Sequence, residues 1–324
     1  MPDLPATLMD AVRYFADLNV CDAYMRKIKW PDGVVACPDC GANGDRIGEV
    51  PSRRKLQCKD CRRQFSFKVG TIFEDSPLGL DKWFVAVWSI ANCKNGISSH
   101  ELARAIGVTQ KSAWFMLHRI RKAMEVGDFD GDKFDGPSEA DTTYIGGAAA
   151  NMHKRRREKI IKGRGAVGKT AVHGVLQRAK DGKPSQVRCE VIGREDADTL
   201  LSCVRRQVKG NAPVFTDSAS AYGNLSATHA HEMIDHSIEY VRGEVHTNGM
   251  ENVFSLLKRS VKGTWIAIAV FHLFRYVAEQ VHRFNTRTLT DRERFEVVMH
   301  RVIGKRLTYR VLCGIEGAGF MGLE

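Results

Sequence analysis

The chain has 324 residues, room for two or three domains at roughly 100–200 residues each, and 43% of them are apolar, enough for at least one full core. The longest apolar stretch, Trp265 to Phe271, is far shorter than the roughly 20 residues of a membrane helix, and the acidic opening MPDLPATLMD lacks a basic segment leading into an apolar one, so a soluble cytoplasmic protein without a membrane partner is expected. The net charge of +11 is concentrated in two places: Arg46 to Lys68 holds eight basic and two acidic residues, and Lys154 to Lys169 holds eight basic and one acidic. Two basic segments on an otherwise near-neutral chain point to a polyanion partner, bound with an affinity that falls steeply with salt.

In chain order, residues 1–30 carry a helical apolar pattern (Leu8, Val12, Phe15, Leu18) and are expected to form a leading helix. Residues 31–70 hold Cys37-Pro-Asp-Cys40 and Cys58-Lys-Asp-Cys61, two CxxC knuckles with 17 residues between them. Each knuckle turns two sulfurs onto one face of a metal, and two knuckles complete a tetrahedral Zn²⁺ site, so Cys37, Cys40, Cys58 and Cys61 are expected to staple a small β-module. The other five cysteines are scattered and odd in number, unlike a disulfide scaffold. Arg53, Arg54, Lys55, Arg62 and Arg63 crowd the module and are expected to face DNA.

Residues 71–127 read as helices. Leu80 to Cys93 is a first helix, Ser98 with Glu101 is a capping box opening a short second one, and Gly107-Val108 turns the chain into a third, capped by Thr109 and running to about Glu125. A short helix, a glycine turn and a basic helix make a helix-turn-helix pattern, with Gln110 and Lys111 near bases and His118, Arg119, Arg121 and Lys122 further along, some near phosphates. The acidic, glycine-punctuated GDFDGDKFDG at 127–136 is the clearest domain boundary. Residues 136–287 show strand-like runs first and helical runs later, an α/β domain. Residues 288–324 are left as a C-terminal tail with a helical pattern around Val297–Val302.

Three acids in the α/β domain have the placement that phosphodiester chemistry needs. Asp141 sits mid-strand in SEADTTYIGG, Asp217 ends the short strand APVFTD, and Glu251 opens a helix after HTNGM. Carboxylates from separate strands and a helix hold two Mg²⁺ or Mn²⁺ ions about 3.5–4 Å apart that activate the attacking oxygen and stabilise the leaving one. Lys258, two turns beyond Glu251, shares its helix face. Spacing alone leaves the set open, since a chain with 38 acids offers many such triples.

The run CPDC…CKDC, GVTQKSAWFMLHRIRKAM, EADTTYIGG, VFTDSASAYGNL and HTNGMENVFSLLKR resembles the zinc-ribbon-bearing DDE transposases of bacterial insertion sequences, from about Pro31 to Arg287 and with every motif in order. The resemblance implies an RNase H-like catalytic domain (a mixed sheet with flanking helices) preceded by a zinc ribbon and a helix-turn-helix-like region. By matching position it implies Asp141, Asp217 and Glu251 as catalytic metal ligands, with Lys258 as the basic partner on the DNA side. It also implies a homo-oligomer on double-stranded DNA, bringing two element ends together in the nucleoid. The sequence departs from that pattern at Thr142, where a second acid usually follows the aspartate, and Asn248, His246 and Glu279 stand as alternative or helper ligands. Two other readings stay open: a non-catalytic DNA-binding regulator, and an RNase H-like nuclease without joining activity.

The basic segment, with Arg155, Arg156 and Arg157, is expected to be a DNA-reaching loop. It runs into Gly163-Arg-Gly-Ala-Val-Gly-Lys-Thr170, which fits the P-loop pattern but follows a charged run and precedes an alternating, strand-like TAVHGVLQ, the wrong context for a nucleotide site.

Overall fold

The computed structural model describes residues 4–125, 132–146, 155, 169–217, 220–234, 245–266 and 268–315. The chain forms two compact units, one of Met1–Met124 with Leu289–Gly319, the other of Glu125–Thr288.

The first unit opens with two helices where one was expected, α1 (Leu8–Phe15) and α2 (Leu18–Lys29), because Asp17 caps a fresh start by accepting the Asn19 N–H at 2.8 Å. A three-stranded antiparallel ribbon follows, β1 (Ile47–Val50), β2 (Lys55–Cys58) and β3 (Gln64–Phe65). Then come α3 (Leu80–Asn92), α4 (Ser99–Ile106) and α5 (Gln110–Met124). The capping box forms as its residues require: the Glu101 N–H donates to Ser98 Oγ, and the Ser98 N–H to the Glu101 carboxylate. Gly107 closes α4 at φ +62°, a left-handed turn that favours glycine, and Thr109 Oγ1 accepts the Ser112 N–H to start α5.

The described residues after 288, 289–315, do not form a separate tail. Its helix Asp291–His300 buries Phe295, Val298 and Met299 in one core with Phe15, Phe84 and Trp88. The ribbon joins the same core through Leu56, Cys58, Phe65 and Phe67. A 40-residue module has too little apolar surface to stand alone, and these helices supply what it lacks. The same burial corrects the phosphate expectation for α5, whose His118, Arg119 and Arg121 are all buried. Arg119 donates to the backbone carbonyls of Leu307 and Glu74 and lies against the Trp83 and Phe115 rings. Their helical positions fall on the inward face, which a list of basic residues does not reveal.

The second unit is built on a mixed five-stranded sheet in the order β6-β5-β4-β7-β8. Its strands are β4 (Ser138–Ile145), β5 (Thr170–Gln177), β6 (Gln186–Ile192), β7 (Pro213–Asp217) and β8 (Ala230–Ile234). β5 runs antiparallel to both β4 and β6, while β4–β7 and β7–β8 are parallel. The helix Ala197–Gln207 packs on one face through Leu200, Leu201 and Val204. The helices Asn248–Ser260 and Leu273–Asn285 cover the other, with Met250, Val253, Phe254 and Val277 against Val172, Leu176 and Val187. This is the expected RNase H-like α/β arrangement. Because Thr170–Gln177 is a strand, the P-loop lookalike lacks the helix that a nucleotide site needs.

Gly174, in the middle of β5, lets the Asn248–Ser260 helix sit close. A Cβ there would meet Met250 Cε, Cys189 Sγ at 3.0 Å and Phe254 Cζ at 3.3 Å. The Gly174→Ala variant should therefore lose about 1–3 kcal/mol of stability, read as a lower urea midpoint. An unchanged midpoint would mean that the helix is not seated on this glycine.

Candidate active site and zinc centre

The four cysteines come together as their spacing requires. Their sulfurs all lie within 4.8 Å of one another, with Cys37–Cys61 at 3.6 Å and Cys40–Cys58 at 3.5 Å. Tetrahedral zinc with Zn–S bonds of about 2.3 Å needs sulfurs about 3.8 Å apart, so the set fits the ion. The two knuckles share one local geometry: the Cys37 N–H donates to Ala42 O and the Cys58 N–H to Arg63 O. Residues after each second cysteine, Gly41 at φ +75° and Arg62 at φ +60°, take the left-handed turn. Backbone N–H groups of Cys40, above all, and Asp39 hold the Cys37 thiol down to about 7, whereas Cys40 and Cys61 in the same cluster are raised.

Of the basic residues around the ribbon, Arg54 is tied to Asp22 at 2.5 Å and Arg63 is paired with Asp39. Among the described residues, Arg53, Lys55 and Arg62 are exposed and make no ion pair. On α5, Gln110 is exposed and donates to Ser99 Oγ at 2.8 Å, while the exposed Lys111 ammonium lies 4.9 Å from the Tyr309 ring. Arg155 is exposed; Arg156 and Arg157 lie outside the described residues.

In the second unit, the parallel register of β4 and β7 pairs Ser138 with Val214, Glu139 with Phe215 and Ala140 with Thr216. Continued by one residue, it sets Asp141 beside Asp217 on neighbouring strands, which lie about 4.8 Å apart. Asp141, Thr143, Glu251, Ser255, Lys258, Arg259 and Lys262 line one cleft of about 520 Å³. Glu251, Ser255, Lys258 and Lys262 recur every three or four residues and so share one face of their chain segment.

Asp141 registers this company. Burial pushes its carboxyl up to about 7, and the neighbouring Asp217 and Glu251 add to the rise, against the Thr142 N–H it accepts at 2.7 Å and the Lys258 charge. Folding thus raises this group above its ordinary 3.8, so its stabilising contribution is full below about pH 4 and is lost as pH rises through about 7. In buffer free of added divalent metal, Asp141→Asn should exceed wild type in stability at pH 8 by of the order of 2 kcal/mol, and the gap should close at pH 4. Thermal melts at the two pH values check this; a gap of the same size at both would rule out a titrating Asp141 as its source.

Among the described residues, only the four cysteines draw three or more ligand atoms within 4.8 Å of one another. The carboxylates of Asp141, Asp217 and Glu251 do not all come within that distance of one another.

Among the other acids named from sequence, Glu279 is buried and paired with Arg283 four residues on, a helical ion pair away from this cleft's lining. Asn248 is exposed at the helix start, and His246 lies against Arg178 and Glu139. Glu195, not anticipated from sequence, follows β6 and accepts from Tyr144 Oη. Desolvation first, and Asp217 next, push its carboxyl up. Only the three-dimensional pairing of strand ends brings it to Asp217, so no local motif marks it.

The model of the ISXO2-like transposase domain matches residues 133–285, and that of the transposase zinc-ribbon domain matches residues 19–64. An uncharacterized protein in transposable element ISH50 of Halobacterium salinarum is 30% identical over 243 residues, 72% of this chain and 80% of that one. The chain belongs to the insertion-sequence DDE transposases with an N-terminal zinc ribbon. In this transposase the ribbon match begins inside α2, in keeping with a ribbon whose core continues into the helices. Among the described residues, no helix is long and apolar enough to cross a membrane.

Proposed function

We propose that the protein binds the inverted-repeat ends of a mobile element and catalyses metal-dependent strand cleavage followed by 3′-hydroxyl strand transfer. The observation that supports this most is the cleft lined by Asp141, from the middle of β4, and by Glu251 with a run of cations on its helix, with Asp217 at the end of the neighbouring strand β7. Asp141, Asp217 and Glu251 form a hard oxygen donor set suited to Mg²⁺ or Mn²⁺, and their mutual repulsion is what two bound cations would relieve. Such ions neutralise the charge of a scissile phosphate and make a bound hydroxyl a stronger nucleophile.

The chain's own part is to hold DNA in line with that set. Lys258 stands about 10 Å beyond Glu251 along the helix axis, and Lys262 about 6 Å further, a span that two or three successive phosphates of one strand can follow. Arg53, Lys55 and Arg62 of the ribbon, with Arg54 and Arg63, supply phosphate contacts, as do Arg155, Arg156 and Arg157. Gln110 and Lys111 read the element end. In cleavage, water adds to the phosphorus and the 3′ oxygen leaves. In transfer, that 3′-hydroxyl attacks a target phosphodiester and a second 3′ oxygen leaves, so one ester bond replaces another and no further reactant is needed. The protein acts as an oligomer on two ends, at the nucleoid.

The test is zinc-loaded protein with Mg²⁺ and DNA carrying the flanking inverted repeats. Cleavage at the repeat end and joining to target DNA are expected. Cleavage without joining would make it a nuclease, and binding without cleavage a regulator.

A further inference from the structure

We propose that Glu139 and Arg178 are positioning residues that set the Glu251 helix at its working height over Asp141 and Asp217; the inference rests on the reading of those three carboxylates given above. Glu139 is 1% exposed and stands two residues before Asp141 on β4, hence on the same face of the strand. Its Oε1 accepts from Arg178 Nε at 2.7 Å. Its Oε2 accepts the Met250 backbone N–H at 3.0 Å, in the first helical turn and immediately before Glu251. That N–H has no partner within the helix, so the carboxylate both caps the helix and fixes it to the strand.

Arg178, just past the end of β5, completes the clamp. Its Nη2 donates to His246 O at 2.9 Å and lies 3.0 Å from His246 Nδ1, gripping the turn that leads into the helix. Its guanidinium also lies 4.5 Å from the Phe215 ring on β7, the strand that ends in Asp217. One ion pair thus touches all three elements that carry the acids. Gly249 makes the approach possible, since a Cβ there would stand 2.7 Å from Glu139 Oε2 and 3.1 Å from Oε1.

Apolar packing, close at Gly174, holds the helix on the sheet, and the ion pair adds a second, directional constraint at the helix start. A buried fork of charge-assisted hydrogen bonds has one geometry and is costly to leave half-made. Glu139 is two residues from Asp141 and bonded one residue from Glu251, so any displacement of its carboxylate passes directly into the separation of those two acids.

The test uses full-length, zinc-loaded protein and reads Mn²⁺ binding by the loss of the free-ion electron paramagnetic resonance signal, without DNA. Glu139→Asp keeps the charge but draws the carboxylate back by about one carbon–carbon bond, ~1.5 Å. Arg178→Lys keeps the charge but cannot fork between Glu139 and His246. Both should raise the apparent Kd for Mn²⁺ roughly 10- to 100-fold while element-end DNA affinity stays within about twofold, and excess Mn²⁺ should restore strand transfer. Wild-type Mn²⁺ affinity in both variants overturns the proposal. So does loss of the folded state in both, because the pair would then be a stability element. Asp217→Ala is measured alongside: if it binds Mn²⁺ as wild type does, the reading of the carboxylates itself fails, an outcome separate from failure of the clamp.

Discussion

Asp217→Ala should abolish strand transfer while leaving the fold and the affinity for element-end DNA intact. Asp217 terminates β7 and is half-buried, so its removal leaves no cavity in the sheet, and it is beside Asp141, so its removal also relieves repulsion. On the proposed two-metal reading, losing one of the three carboxylates that would hold the cations forfeits several kcal/mol of charge stabilisation in the transition state, and about 4 kcal/mol is a factor of about 10³ in rate. DNA binding depends on cations elsewhere and should keep its salt dependence. End-labelled repeat DNA resolved on a denaturing gel measures cleavage and joining together, and fluorescence anisotropy measures binding. Joining at the wild-type rate by this variant would end the two-metal proposal.

Zinc removal is the second large effect, and it should reach beyond the ribbon. Structural zinc contributes about 10–16 kcal/mol of apparent binding energy in small modules, comparable to the whole stability of an ordinary domain at roughly 5–15 kcal/mol. Here the ribbon shares its core with α1, α2, α3 and the helix Asp291–His300, through Leu56, Cys58, Phe65 and Phe67. Cys37→Ser, or chelation of the wild-type protein, should therefore strip hydrogen-exchange protection from those helices as well as from β1–β3, and abolish DNA binding. The sheet of the second unit has its own cores and should keep its protection. Full protection of α1–α3 in protein shown to be zinc-free would refute the shared-core account.

What could be read from the sequence was what local chemistry encodes. The CxxC knuckles need only their own turns to aim four sulfurs, and the capping box at Ser98 and Glu101 closes within four residues. Local pattern put Asp141 and Asp217 each on a strand, as the structure does, but spacing left the set of three acids open and only the family resemblance singled it out. What stayed hidden depends on partners far along the chain. Glu139 reads as one more acid beside a motif, yet its meaning comes from Arg178 and Met250, 39 and 111 residues away. Arg119 reads as a phosphate contact until its carbonyl partner Leu307, 188 residues on, is known. Phe295 gives no sign that its ring will stand 5.2 Å from that of Phe15.

That last contact has a bearing on the order in which the molecule is made. The second unit is spliced into the first along the chain, since residues from both sides of it complete one core. A nascent chain that has reached residue 288 has the five described strands of the second unit's sheet but lacks Phe295, Val298 and Met299, and its first unit stands with an open apolar seam. The unit carrying the ribbon and α5 must finish last, after synthesis has passed the acids. A polypeptide broken off early thus has the strands of its sheet but an unfinished first unit, and only a chain that has passed Val302 can close both cores.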